Sequence, residues 1–160
     1  MNKQIIRQRS IVSDDYVEVA DDAELPVSGK VIVSLARWNA HHEGLLIRFE
    51  SVGVRIASDK LPKDIHELGS LALVAIEFPR FSDGRGYSIA RLLRREAFQG
   101  EIRAVGWVLR DNLLYMERCG IDAYDLLPGK SLESAVQAFG ELDVVYQATV
   151  PDPRPLYRRR

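Results

Sequence analysis

The stretch Phe78-Pro79-Arg80-Phe81-Ser82-Asp83-Gly84-Arg85-Gly86-Tyr87-Ser88 carries the residue types best suited to hold an anion. It follows the most apolar run of the chain, Leu71 to Phe78, and precedes an expected helix from about Tyr87 to Glu96. That junction of strand end and helix start is where α/β sheets place ligands. Two glycines let the backbone approach a ligand, and the helix start offers unpaired N–H groups. From Arg80 to Arg110 there are seven arginines against Asp83, Glu96 and Glu101, in a chain of net charge -1. Such a local excess suits phosphate, sulfate, sulfite or a carboxylate. The expected anion ligands are Asp83, Gly84, Arg85, Gly86, Ser88 and Arg91. Arg85 would bind directly, Ser88 would donate from the first helical turn, Arg91 would reach back, and Asp83 would orient Arg85. The alternative reading is a plain turn in which Asp83 caps the helix and pairs with Arg85.

Other motifs point to less chemistry. Gly84-Arg85-Gly86-Tyr87-Ser88 lacks the spacing of a dinucleotide fingerprint. Pro128-Gly129-Lys130-Ser131 lacks the glycine that a phosphate loop needs five positions before Gly129, where Tyr124 stands, so it reads as a turn and helix cap. Cys119 is the sole cysteine, which excludes a disulfide framework and multi-cysteine metal centres. Its place at a helix C-terminus opposes thiolate formation, so it reads as a small buried residue. His41 and His42 are adjacent and project to different helix faces, poorly placed to share a metal; with His66 they are expected at the surface. No metal, haem, flavin or cluster is expected, no paired carboxylates stand out, and no catalytic residue can be named.

These segments need elements to position them. The 160 residues amount to about one domain. With 46% hydrophobic and 28% charged residues, the composition is that of a soluble globular protein. Near-neutral charge argues against a nucleic-acid-coating surface, and no apolar run approaches the ~20 residues that span a bilayer. Neither nucleic acid nor membrane is an expected partner; the N-terminus lacks a secretory apolar stretch, and a cytoplasmic location is expected. Ile5 to Val12 and Tyr16 to Val19, flanking Ser13-Asp14-Asp15, read as a β-hairpin. The six acidic residues between Ser13 and Gly29, without Lys or Arg, read as a solvated edge. From Lys30 onward a strand–helix rhythm follows: strand Val31 to Leu35, helix Ala36 to Leu46, strand Val52 to Ile56, a short helix Leu61 to Leu68, then strand Leu71 to Phe78. The last is apolar on both faces, which predicts helices on both sides. Helix Tyr87 to Glu96, strand Ile102 to Gly106, helix Arg110 to Cys119 stopped by Gly120, strand Ile121 to Leu126 and a final helix capped by Ser131 complete the rhythm.

About five strand–helix units predict an α/β fold with a mainly parallel sheet, either open or a partial barrel, and the N-terminal hairpin appended. A closed eightfold barrel needs ~250 residues. Leu142 to Val150 is expected to add a last strand. Residues 1–150 then form a single α/β domain, and the Pro/Arg-rich tail 151–160, with Arg154, Arg158, Arg159 and Arg160, leaves it as a docking arm or disordered end. An open sheet leaves apolar surface, so a twofold homodimer is expected.

Three blocks resemble a known family. They are Phe78 to Arg94, Gly100 to Asp111 and Tyr115 to Tyr124, within a likeness that spans Ile5 to Gln147. The chain resembles the bacterial domain-of-unknown-function family DUF934, whose members are labelled oxidoreductases of sulfite reduction because their genes lie beside assimilatory sulfite reductase. The resemblance implies an accessory protein or oxidoreductase partner in assimilatory sulfite reduction, acting with sulfite reductase. It places family-signature residues at Arg103, Gly106, Arg110, Asp111, Cys119, Gly120 and Asp122, besides the loop residues already named. Trp107 stands where the family resemblance implies a smaller or polar residue. If sulfite chemistry is involved, the redox centres belong to the partner, because this chain has neither the cysteines of a cluster nor a flavin or nicotinamide loop. Two other readings remain: a small enzyme that binds an anionic metabolite at residues 82–88, and an oligomeric scaffold.

Overall fold

In the computed structural model, which describes residues 3–142 and 144–158, the N-terminal segment forms β1 (Gln4–Arg7), β2 (Ser10–Ser13) and β3 (Tyr16–Glu18). The rhythm that follows is β4 (Lys30–Ser34), α1 (Leu35–Arg48), β5 (Ser51–Ile56) and β6 (Leu73–Phe78). It continues as α2 (Arg85–Arg95), β7 (Glu101–Gly106), α3 (Leu113–Arg118), β8 (Ala123–Tyr124) and α4 (Leu132–Gln137). The α/β class and the N-terminal antiparallel strands match the expectation from sequence. Among the described residues no helix is long and apolar enough to cross a membrane. Arg159 and Arg160 of the expected tail lie outside the described residues.

Among the described residues all strands join one sheet in the order β2-β1-β8-β7-β6-β5-β4-β3, parallel from β3 to β8 and antiparallel at β1 and β2. Consecutive parallel strands that lie side by side, joined by right-handed crossovers, put every helix on the same side. Trp38 and Leu45 of α1, Ile89 and Leu93 of α2, Leu113 and Met116 of α3, and Ala135 of α4 accordingly share one core with Val31, Val54, Ile76 and Ala104. The expectation of helices on both faces of Leu71 to Phe78 is therefore wrong. The other face holds a separate small cluster of Ile32, Leu73, Ala75 and Val105, with Tyr16 packed on it.

That second face is enclosed because the sheet curls. β2 and β3 are its two edges, yet only Asp14 and Asp15 separate them in the chain. Three residue steps reach at most about 11 Å, so the two edges must come together. Following the register, Ser10 pairs with Arg7, Arg7 with Ala123, and the level continues through Arg103, Ala75 and Arg55 to Ser34. Since Glu18 pairs with Ile32, Ser34 stands level with Ala20, roughly ten residues further along the strand where the circuit began. Such a stagger is what a tilted, barrel-like sheet requires. One extended stretch thus serves β1 with its first half and β4 with its second.

Several sequence expectations are corrected by this arrangement. The hairpin turns at Gln8 and Arg9, both at positive φ (47° and 64°), as a primed turn demands. Ser13-Asp14-Asp15 is instead the junction that carries the chain from one sheet edge to the other. Leu61 to Leu68 is not an α-helix; 3-10 turns occur at Pro62–Asp64 and Leu68–Ser70. Side chains of α1 take the carbonyls that a longer helix would use: Asn39 donates to Asp64 O and Trp38 to His66 O. Leu142 to Val150 adds no strand among the described residues, because β1 already occupies the free side of β8. The segment folds back instead, and Val150 N donates to Arg118 O. The sheet's curl also encloses part of the apolar surface expected of an open sheet.

Candidate functional site

Parallel strands deliver their C-terminal ends, and the loops that follow them, to one end of the curled sheet. In barrels that end carries the chemistry. The loop after β6 begins beyond Phe78 and closes at Asp83, whose N–H donates to Arg80 O. Asp83 is buried; its Oδ2 accepts from Ser58 Oγ at 2.8 Å and from Arg85 Nη2 at 2.7 Å. Its Oδ1 accepts from Arg85 Nε at 3.0 Å and from Arg85 N at 3.1 Å. Hydrogen bonds from Arg85 and Ser58 hold the carboxyl far below the ordinary carboxylate range, so it is an anion at every working pH. The same pairing raises the Arg85 pKa, and the Arg85 side chain is still 59% exposed. Asp83 therefore orients a guanidinium that solvent can reach.

Gly86 lies in the first turn of α2 because a Cβ there would come within 2.5 Å of the Phe78 ring. Gly84 precedes the helix and supplies no side-chain cap. Ser88 and Arg91 are exposed further along α2, where with Arg95 and Thr149 they line a groove of about 680 Å³ under the C-terminal segment. The structure thus gathers Asp83, Gly84, Arg85 and Gly86 at the loop and sets Ser88 and Arg91 along the helix beside the tail.

A hollow of about 330 Å³ opens at the mouth of the curled sheet, lined by Glu18, Ser34, Arg55, Lys60 and Glu77 among others. Arg55 pairs with Glu18 and, through Nη2, with Glu77 at 3.0 Å. Burial opposes its charge, but these two carboxylates outweigh that and raise its pKa. Ser58, the partner of Asp83, lies three residues beyond Arg55, in the loop that follows β5. None of Arg55, Ser58, Lys60 and Glu77 was singled out from sequence. The available signal was a charge at alternate positions of otherwise apolar strands, as in Val54-Arg55-Ile56, Ile76-Glu77-Phe78 and Ile102-Arg103-Ala104. In a curled sheet those alternate positions face the lumen.

Most of the residues expected as a family signature have identifiable structural work. Arg103 is buried in the lumen, where Nη1 binds both oxygens of Asp14 and Nε binds Glu101. Gly106 adopts φ 91°, and a Cβ on it would meet Phe78 O at 2.5 Å. Arg110 ties Ser134 O and Glu141 to the loop after β7, while Asp111 is exposed. Cys119 is buried and desolvation raises its thiol pKa, against the pull of Arg91 and Tyr115, in line with the reading of a small buried residue. Gly120 takes φ 100° at the end of α3, the left-handed stop expected there. Asp122 accepts from Arg94 Nη2 and from Ile102 N, both at 2.9 Å, yet burial still raises its pKa. Trp107 is half exposed beside the mouth. Gly129 (φ 82°) and Ser131, which accepts from Ser134 N, form the turn and cap read from sequence.

The histidines are arranged in a way that spacing did not reveal. His42 meets not His41 but His66, with ring centroids 4.5 Å apart, and Glu67 completes a group of potential metal donors. A model of a family described as a bacterial protein of unknown function (DUF934) matches residues 53–157. No curated protein and no solved structure matches the chain.

Proposed function

We propose, from the premise that this chain belongs to the DUF934 family of bacterial proteins of unknown function, that it is a cytoplasmic accessory protein or oxidoreductase partner in assimilatory sulfite reduction. In this reading it acts with sulfite reductase and holds a small oxyanion at Asp83–Arg85. The observation that carries the anion site is the Arg85 guanidinium, fixed on one edge by Asp83 and open to solvent on the rest. A planar donor oriented in this way suits the oxygens of sulfite, sulfate or phosphate. Phe81 and Trp107 stand exposed at the same end of the sheet and offer apolar surface to a protein partner. The redox centres are the partner's.

The test has two arms. Calorimetry with sulfite on the isolated protein should show saturable binding, and Arg85→Ala should weaken it roughly ten- to hundred-fold. Pull-down from cells growing on sulfate should recover sulfite reductase, and a strain lacking the protein should grow poorly on sulfate as sole sulfur source. No binding of sulfite at millimolar concentration sinks the anion site. Normal growth on sulfate without the protein sinks the pathway.

A second reading is a small enzyme that takes an anionic metabolite at residues 82–88, where the exposed Arg85 guanidinium would engage it. Turnover of a metabolite by the isolated protein, abolished by Arg85→Ala, would select this reading over the first.

A further inference from the structure

We propose that His42, His66 and Glu67 form a binding site for a divalent transition-metal ion of the zinc type. One donor atom from each of the three residues lies within 4.8 Å of the other two. Two imidazoles and a carboxylate are the donor set of three-ligand zinc sites, which leave a fourth position for water or substrate. Tetrahedral zinc–ligand bonds of about 2.0–2.1 Å put donors roughly 3.3 Å apart, so a small rotation of exposed His66 or Glu67 closes the site. Imidazole donors select zinc-like ions over calcium or magnesium.

Three further observations concern the same place. First, His42 Nδ1 is buried and has no hydrogen-bond partner. An unsatisfied buried nitrogen is costly, and a metal ion is a partner that removes that cost. Second, the loop that brings His66 is clamped to the turn of α1 before His42. Trp38 Nε1 donates to His66 O at 2.7 Å, His66 N donates to Asn39 Oδ1 at 3.1 Å, and Asn39 donates to Asp64 O at 2.9 Å. Such outer bonds orient donors before a metal arrives. Third, Glu67 sits in the left-handed region at φ 44° and ψ 49°, a strained backbone for a residue with a side chain. The helix breaks at His41, so His42 opens the segment beyond the break. The site lies on α1 and the loop after β5, outside the residues proposed for the anion, so either proposal can fail without the other.

The experiment uses the full chain, free of any affinity tag and stripped of metal by a chelator. Calorimetry with zinc should give one equivalent per chain at micromolar affinity or tighter. Cobalt in its place should give the visible absorption of a tetrahedral site. Zinc should also raise the thermal midpoint, as any ligand of the folded state does. His42→Ala, His66→Ala and Glu67→Gln should each weaken binding at least about tenfold, while His41→Ala should not. His66 and Glu67 are exposed, so their variants keep the test decisive if His42→Ala fails to fold. Absence of saturable zinc binding, a stoichiometry far from one, or wild-type affinity in His66→Ala and Glu67→Gln would overturn the proposal.

Discussion

Arg103 is the most buried member of the ion pairs among the described residues. Its side chain is 1% exposed, Asp14 is 3% exposed, and the Tyr16 ring lies 5.4 Å from the guanidinium carbon. A buried pair adds little over a well-packed apolar pair, but removing one member strands the other's charge. Arg103→Met should therefore destabilise the protein by about 3–5 kcal/mol, measured by urea unfolding. Removing Asp14 as well, in Asp14→Leu/Arg103→Met, should recover part of that loss. A single variant as stable as the wild type would mean that the lumen readily hydrates.

Among the elements, the junction of β6, β7 and α2 is built around Phe78. Its ring leaves no room for a Cβ at Gly86, and its carbonyl leaves none at Gly106. That carbonyl also accepts from Trp107 N at 2.8 Å, so it cannot retreat without losing a hydrogen bond. Gly106→Ala therefore adds a steric clash to the backbone strain of φ 91° and should cost at least about 2 kcal/mol. Gly129→Ala is the control, because φ is 82° there but a Cβ would meet open space. It should cost only about 1 kcal/mol, the strain alone. Equal losses in the two variants, read from urea midpoints, would refute the packing argument. The same junction positions Asp83 and Arg85, so under the proposed anion site Gly106→Ala should weaken sulfite binding as well.

At the scale of the whole molecule, the circuit of the sheet makes the N-terminal residues part of the domain rather than an appendage. Ile6 packs in the main core, Asp14 neutralises Arg103, and β3 and β4 cover β5. A chain confined to residues 51–158 keeps the family-matched segment but loses four of the strands and exposes Val52 and Val54. It should show no cooperative thermal transition by near-ultraviolet circular dichroism. A sharp transition would mean that the parallel part folds alone.

Much of this was legible in the residues. Apolar runs bounded by helix caps and glycines located most elements, because a strand or helix declares its period locally. Gly120 and Ser131 marked helix ends for the same reason, since a left-handed stop and an N-cap are properties of single positions. The loop from Asp83 to Gly86 stands out in the sequence because its glycines and charges are contiguous. Strand order, the side on which the helices lie and the curl depend on pairings between residues far apart in the chain. So do the meeting of Arg103 with Asp14, of Ser58 with Asp83 and of His42 with His66. Their separations of 89, 25 and 24 residues leave no periodic trace in the sequence. Only the tertiary structure decides them, because the free energy that selects each partner comes from curling the sheet and packing its helices.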